Sequence, residues 1–278
     1  MEKDTFRLTV LGARGSIPVS GQEFDEFGEA TSCYMVEVGG KTIFLDAGTG
    51  IVNAPPDKTE DEKAKEAVIL LSHPHLDHIM GLPFFPLLSE KGKKITIYGE
   101  TKNNLNLHDQ IENVFSEPYW PQKPTDYPAD LNFEEISFPL IFEADTKEEG
   151  KITIDGMHVC HPGGNLAYRI SYKGKTILYL TDYEQGDSIS PELIEFAKDS
   201  DLVLFDAQYK DEDFEKRHGF GHSTAAHAKI FMEKTGSKKM LLIHHDPRYT
   251  DETINGMEKA LAMVNMTYAR KGEIVDLI

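Results

Sequence analysis

The sequence predicts an α/β protein with two stacked sheets and helices on the outside. Two observations carry this. Each half of the chain opens with strands around a hairpin signal and then alternates strand with helix. A sheet with an apolar face must also bury it against another layer, so two such halves pair face to face. With 278 residues and 40% hydrophobic side chains there is enough apolar material for one large domain or two small ones.

In the first half, Phe6 to Leu11 reads as a strand. Tyr34 to Val38 and Thr42 to Asp46 read as a pair joined at Gly39-Gly40, because two glycines accept a positive φ. Residues 57–66 carry helix-forming Glu, Lys and Ala and lead into a buried strand over Val68 to Leu71. Ile79 to Leu88 reads as a short helix made irregular by Pro83 and Pro86, and Ile95 to Tyr98 as another strand. From Ser116 to Asp130, four prolines alternate with Tyr119, Trp120 and Tyr127, which predicts an ordered loop, a lid candidate and not a domain boundary.

The second half begins with Lys151 to Val159. Leu166 to Tyr172 and Thr176 to Leu180 follow around Lys173-Gly174. A helix is predicted over Pro191 to Lys198, a buried strand over Leu202 to Phe205 and a helix over His222 to Lys234. A strand over Met240 to Ile243 and a helix over Asp251 to Val264 complete the series.

The formal charge is −18, which repels phosphate backbones and anionic lipid and argues against a dedicated nucleic-acid binder. Cys33 and Cys160 are the two cysteines, too few for a disulfide framework or a cysteine-rich zinc module. The polar N-terminus lacks a signal sequence, and the longest apolar runs are strand-sized, so a soluble cytoplasmic protein is expected, with no membrane partner.

Chemistry gathers where the strand over Val68 to Leu71 stops. Ser72-His73-Pro74-His75-Leu76-Asp77-His78 places three imidazoles and a carboxylate in six residues, and neutral imidazole and carboxylate are ligands for divalent metals. One turn cannot wrap all four groups around one ion, so two adjacent ions with further ligands from other strand ends are expected. His161, Asp182 and His244 each follow an apolar run and supply candidates.

This pattern resembles the metallo-β-lactamase superfamily over nearly the whole chain. The resemblance implies a four-layer αββα sandwich with the metals at one edge of the sheets. It assigns His73, His75 and His161 to one ion and Asp77, His78 and His244 to the other, with Asp182 bridging. Asp46, which closes Ile43-Phe44-Leu45-Asp46-Ala47-Gly48, corresponds to the family's first motif and braces the metal-binding turn. Leu11 to Ser16, Phe205-Asp206-Ala207, Gly221-His222-Ser223-Thr224 and His244 to Pro247 resemble the branch containing ribonuclease Z and related phosphodiesterases. There, an acid and a histidine at the Asp206 and His222 positions form a proton-donating pair near the leaving group. The chain lacks the dense basic cluster and the Gly/Pro-rich basic arm that a tRNA substrate requires.

Two functions follow from the resemblance. The first is a hydrolase of a small phosphodiester using two divalent ions, zinc, manganese or iron. The second is a diiron O2-binding sensor, similar to single-domain proteins that act with bacterial chemotaxis receptors, with a signalling partner and the Ser116 to Asp130 loop reporting ligand state. Flavodiiron proteins place Glu where this chain has His75. The extra neutral imidazole leaves the metals more positive, as in zinc hydrolases. A homo-oligomer is expected. His108, His158, His218, His227 and His245 lie outside the motif and read as ordinary surface or core histidines. The aromatics Phe84, Phe85, Tyr119, Trp120, Tyr183 and Tyr249 either fill core or wall a pocket.

Overall fold

The computed structural model of the chain describes residues 4–55, 66–145 and 150–278. Two seven-stranded sheets lie face to face. The first contains β1 (Phe6–Gly12), β2 (Cys33–Val38), β3 (Lys41–Leu45), β4 (Glu66–Leu70), β5 (Lys94–Gly99), β6 (Asp130–Glu135) and β14 (Ile274–Asp276), in the order β14-β1-β2-β3-β4-β5-β6. The second contains β7 (Leu140–Glu143), β8 (Lys151–Val159), β9 (Asn165–Tyr172), β10 (Lys175–Leu180), β11 (Leu202–Asp206), β12 (Lys239–Ile243) and β13 (Met266–Tyr268), in the order β13-β12-β11-β10-β9-β8-β7.

Alternation along the strands builds the layers. Phe6, Leu8 and Val10 of β1 and Tyr34 and Val36 of β2 point inward and meet Tyr168, Ile170, Ile177, Tyr179 and Leu204 of the second sheet in one inter-sheet core. The opposite face of the first sheet, with Phe44, Ile69 and Ile97, packs on α1 (Leu76–Ile79) and α2 (Leu107–Val114) through Ile79, Leu107 and Ile111. The opposite face of the second sheet packs on α3 (Pro191–Ala197), α5 (Ala225–Thr235) and α6 (Asp251–Leu261) through Leu193, Phe231 and Ile254. A short helix, α4 (Asp211–Phe214), precedes α5. Three apolar cores between four layers make the expected αββα sandwich.

Each sheet is mixed. β1, β2 and β3 pair antiparallel, as expected, and β3 to β6 then run parallel. β10 to β13 are parallel, while β8 and β9 are antiparallel neighbours, so β8 points the same way as β10. The carboxyl ends of β3, β4, β8, β10, β11 and β12 therefore collect at one rim, where ligands of such sheets are bound.

Three expectations need correction, and one lies outside the described residues. The helix expected from His222 starts at Ala225, because Thr224 caps it by accepting from the His227 N–H, and His222 and Ser223 stay in the preceding loop. Ile79 to Leu88 is not one helix: α1 ends at Ile79, and two separate 3-10 turns follow, Leu82–Phe84 with Pro83 as its second residue and Pro86–Ser89. The last predicted helix stops at Leu261, since Ala262 adopts a left-handed conformation. The helix predicted over 57–66 falls outside the described residues, apart from Glu66, which opens β4.

Candidate metal centre

Asp46 follows β3, Ser72 to His78 follow β4, and His161 lies two residues after β8. Asp182 lies two residues after β10, Asp206 ends β11, and His244 follows β12. Asp46, Asp182 and His244 leave their strands with φ of 61°, 47° and 63°, a region that few residues other than glycine adopt. Each is held there by surrounding bonds, as strained residues at functional sites must be. For Asp182, the Asn165 side-chain amide donates to the carbonyls of Thr181 (2.6 Å) and Asp182 (3.1 Å).

The seven predicted ligands converge. His73, His75, His161 and Asp182 form one group, and Asp77, His78 and His244 a second, the ligand atoms of each lying within 4.8 Å of one another. Asp182 faces both. Its Oδ1 lies 3.7 Å from His73 Nε2 and 3.6 Å from His161 Nε2, and its Oδ2 lies 3.1 Å from His78 Nε2 and 3.3 Å from His244 Nε2. Asp77 Oδ2 closes the second group, 3.3 Å from His78 Nε2 and 3.1 Å from His244 Nε2.

Surrounding residues decide which atom each ligand presents. Asp46 is fully buried and accepts from the Ser72 N–H and hydroxyl (2.7 Å each), the Tyr179 hydroxyl (2.6 Å) and His78 Nδ1 (2.7 Å), leaving His78 Nε2 to face the centre. His161 Nδ1 donates to the Gly221 carbonyl at 3.0 Å, which aims Nε2 inward. Asp77 Oδ2 accepts from the Ser16 N–H at 2.7 Å, and Asp182 Oδ2 from the Thr181 hydroxyl at 2.6 Å.

The donors fit divalent metal. His73 Nε2 is buried without a hydrogen-bond partner among the described residues, an arrangement costly for a polar nitrogen unless a cation takes its lone pair. His161 Nε2 and His75 Nδ1 also meet at 3.2 Å, two ring nitrogens turned toward one point. Burial pushes His73 well below the ordinary imidazole value, and His75 and His161 below it, which keeps them neutral as ligands must be. For His78 and His244 burial works the same way but is outweighed by carboxylates. Asp182, Asp77 and Asp46 raise His78 well above the ordinary value, and Asp182, Asp77 and Asp206 raise His244 to about 9. Burial opposes ionisation of Asp182 too, yet His244, His78 and His73 hold it well below the carboxylate range.

The expected pair is also formed. His222 Nδ1 lies 2.7 Å from Asp206 Oδ2, and its ring stacks on His244 with centroids 4.7 Å apart and meets His161 edge-on at 5.3 Å. The remaining ring nitrogen of His222 is thus the one open to a bound ligand, at the border of both groups.

Several contributing residues escaped the sequence reading. Tyr179 reads as one more inward residue of an apolar strand, Ser16 and Ser72 stand in quoted motifs without a role of their own, and Gln208 and Tyr209 carry no local signal. Gly221, which the sequence shows only as the first residue of Gly221-His222-Ser223-Thr224, adopts φ 91°, and a Cβ there would come within 2.1 Å of His161 Nδ1. Arg14 is fully buried and donates to the carbonyls of Gly28, Asp246 and Tyr249, so it braces the loops.

The other histidines stay apart. His108 sits beside Asp109 and Glu112, His158 beside Glu100 and His218 beside Glu184, while His227 packs on Phe214 and buried His245 bonds the Ala269 carbonyl. The aromatics divide between roles: Phe85, Tyr183 and Tyr249 are core, and Phe84 and Tyr119 are exposed. Within residues 116–130, Trp120 and Tyr127 pack against the outer layer of the first sheet.

Among the described residues no helix is long and apolar enough to cross a membrane. Comparison with known proteins agrees with this geometry. Residues 41–245 match the model of the β-lactamase superfamily domain. A probable metallo-hydrolase of Bacillus subtilis, YhfI, is 24% identical over 86% of both chains, and its crystal structure superposes with a TM-score of 0.68 over 98% of this chain and 100% of that one. Ribonuclease Z of Bradyrhizobium diazoefficiens is 23% identical over 90% of this chain and 92% of that protein. A diphosphatase of the PhnP family superposes with a TM-score of 0.69 at 20% identity, over 98% of each chain. This chain belongs to the metallo-β-lactamase superfamily, close to the branch that contains YhfI, ribonuclease Z and PhnP.

Proposed function

We propose that the protein is a dinuclear metal-dependent hydrolase of a small phosphodiester. The observation that carries this is the split carboxylate of Asp182, one oxygen facing His73 and His161, the other His78 and His244, next to the Asp206–His222 pair. His73, His75 and His161 would hold one ion, Asp77, His78 and His244 the other, and Asp182 both. Zinc or manganese suits the donor set. Two such ions supply an activated water and a clamp for the phosphoryl oxygens. Asp206 orients His222 through its Nδ1, and His222 delivers a proton to the departing alkoxide.

The same pair favours hydrolysis over reversible O2 binding, which needs no proton donor. Resemblance to a probable metallo-hydrolase and to a diphosphatase supports the reading. The test is turnover of bis(p-nitrophenyl) phosphate by protein loaded with zinc or manganese. Release of p-nitrophenolate that chelator abolishes and metal restores is expected. No turnover with either ion would overturn the proposal.

A further inference from the structure

Beside the centre lies an open cleft of about 420 Å³, large enough for part of a small substrate. It shares a wall with the site. Ser16 bonds Asp77 through its N–H, Gln208 donates to the Ser16 hydroxyl at 2.9 Å, and the Tyr209 ring meets His222 edge-on at 5.6 Å. The cleft therefore continues from the side of the Asp206–His222 pair, where the departing group must leave.

Its lining runs against the character of the protein. In a chain of net charge −18, Lys216, Arg217 and Arg248 face one carboxylate, Asp246. Asp246 takes both arginines, Arg217 at 3.0 Å and Arg248 through two nitrogens, so that trio keeps a positive charge. Lys216 is exposed and has no ion-pair partner among the described residues. Arg217 is not loosely placed: its guanidinium stacks 4.9 Å over the Tyr209 ring. Ser16 is exposed at φ 66°, fixed by its bonds to Asp77 and Gln208, an unfavourable conformation kept at the junction of cleft and centre. With its oxygen accepting from Gln208, its hydroxyl hydrogen is free to donate to a bound group.

We infer that this cleft is the subsite for the departing arm of the substrate, and that it selects an arm carrying a further anionic group. The inference rests on the hydrolase reading and narrows it to phosphodiesters with a second phosphate. Lys216 and Arg217 are the specificity-determining residues, and neither touches the reacting atoms.

The test is a binding comparison by calorimetry on the metal-loaded protein, with adenosine 5′-monophosphate and adenosine 3′,5′-bisphosphate as probes. The bisphosphate should bind roughly tenfold tighter, the size of one added charge-assisted contact. That advantage should shrink to about twofold or less in Lys216→Ala and in Arg217→Gln, each verified to retain its metal and its melting temperature. Lys216 is exposed, so its variant keeps the test decisive if Arg217→Gln fails to fold. Equal affinity for the two probes in the unaltered protein, or an advantage undiminished in Lys216→Ala, would overturn the inference. Because no turnover is read, failure here is distinct from failure to hydrolyse bis(p-nitrophenyl) phosphate.

Discussion

His78 gives its Nδ1 to Asp46 Oδ2 at 2.7 Å, so a carboxylate at the end of β3 determines which nitrogen the turn after β4 presents to the centre. The bond is wholly buried, and Ser72 and Tyr179 complete the shell around the same carboxylate.

Replacing Asp46 by Asn tests that role, because Asn tolerates the left-handed backbone while losing the charge. Metal affinity should fall roughly tenfold to a hundredfold with the fold retained. Chelator competition read alongside the circular dichroism of the metal-free variant checks this. Unfolding of that metal-free form would make Asp46 structural instead.

Gly221→Ala should be as damaging from a position that carries no ligand. The added methyl meets His161 Nδ1, and the backbone sits at φ 91°. Metal affinity is expected to drop by about tenfold or more, the scale of losing a ligand's supporting bond. Wild-type affinity in this variant would show that His161 is not held through Gly221.

His222→Ala should lower kcat for a phosphodiester with an alkoxide leaving group by about a hundredfold while metal content stays at the wild-type level, and should slow bis(p-nitrophenyl) phosphate, whose phenolate departs unprotonated, far less, as loss of a general acid requires. A change confined to KM would make His222 a substrate-binding residue.

Without metal, stability should depend on pH with a definite sign. His78 and His244 have folded-state pKa values raised above the ordinary 6.5, His244 to about 9. Their stabilising contribution is complete below 6.5 and is lost as pH climbs through the raised values. His73, His75 and His161, whose values are lowered, are neutral in both states above 6.5 and do not offset the loss. The melting temperature of EDTA-treated protein should therefore fall between pH 6.5 and 9, and restoring metal should flatten the profile. A rising melting temperature over that interval would contradict the assignment of charge in the cluster.

The residues that converge on the candidate centre were legible in the sequence because their signals are local. Three histidines and an aspartate crowd one turn, and His161, Asp182 and His244 each stand where an apolar run stops. The strands themselves were legible for the same reason when both faces are buried, as in β11 and β12. β6 and β7 were not, since their side chains are largely exposed or half-exposed at the sheet edges and carry charge, and β13 and β14 are three residues each. α2 was missed although Asn106 caps it by accepting from the Asp109 N–H. The residues that orient the ligands depend on contacts between distant segments. Tyr179 reaches Asp46 across the inter-sheet core, and Gly221 reaches His161 from a loop, relations no window of sequence contains.

The central claim is that Asp182 joins two metal positions. Metal content and affinity of wild type and Asp182→Ala, measured by titration with zinc under chelator competition, test it directly. Two ions per chain are expected in the wild type. In the variant at most one is expected, or two bound far more weakly, with the fold retained by circular dichroism. Two equivalents bound by Asp182→Ala with unchanged affinity would contradict it.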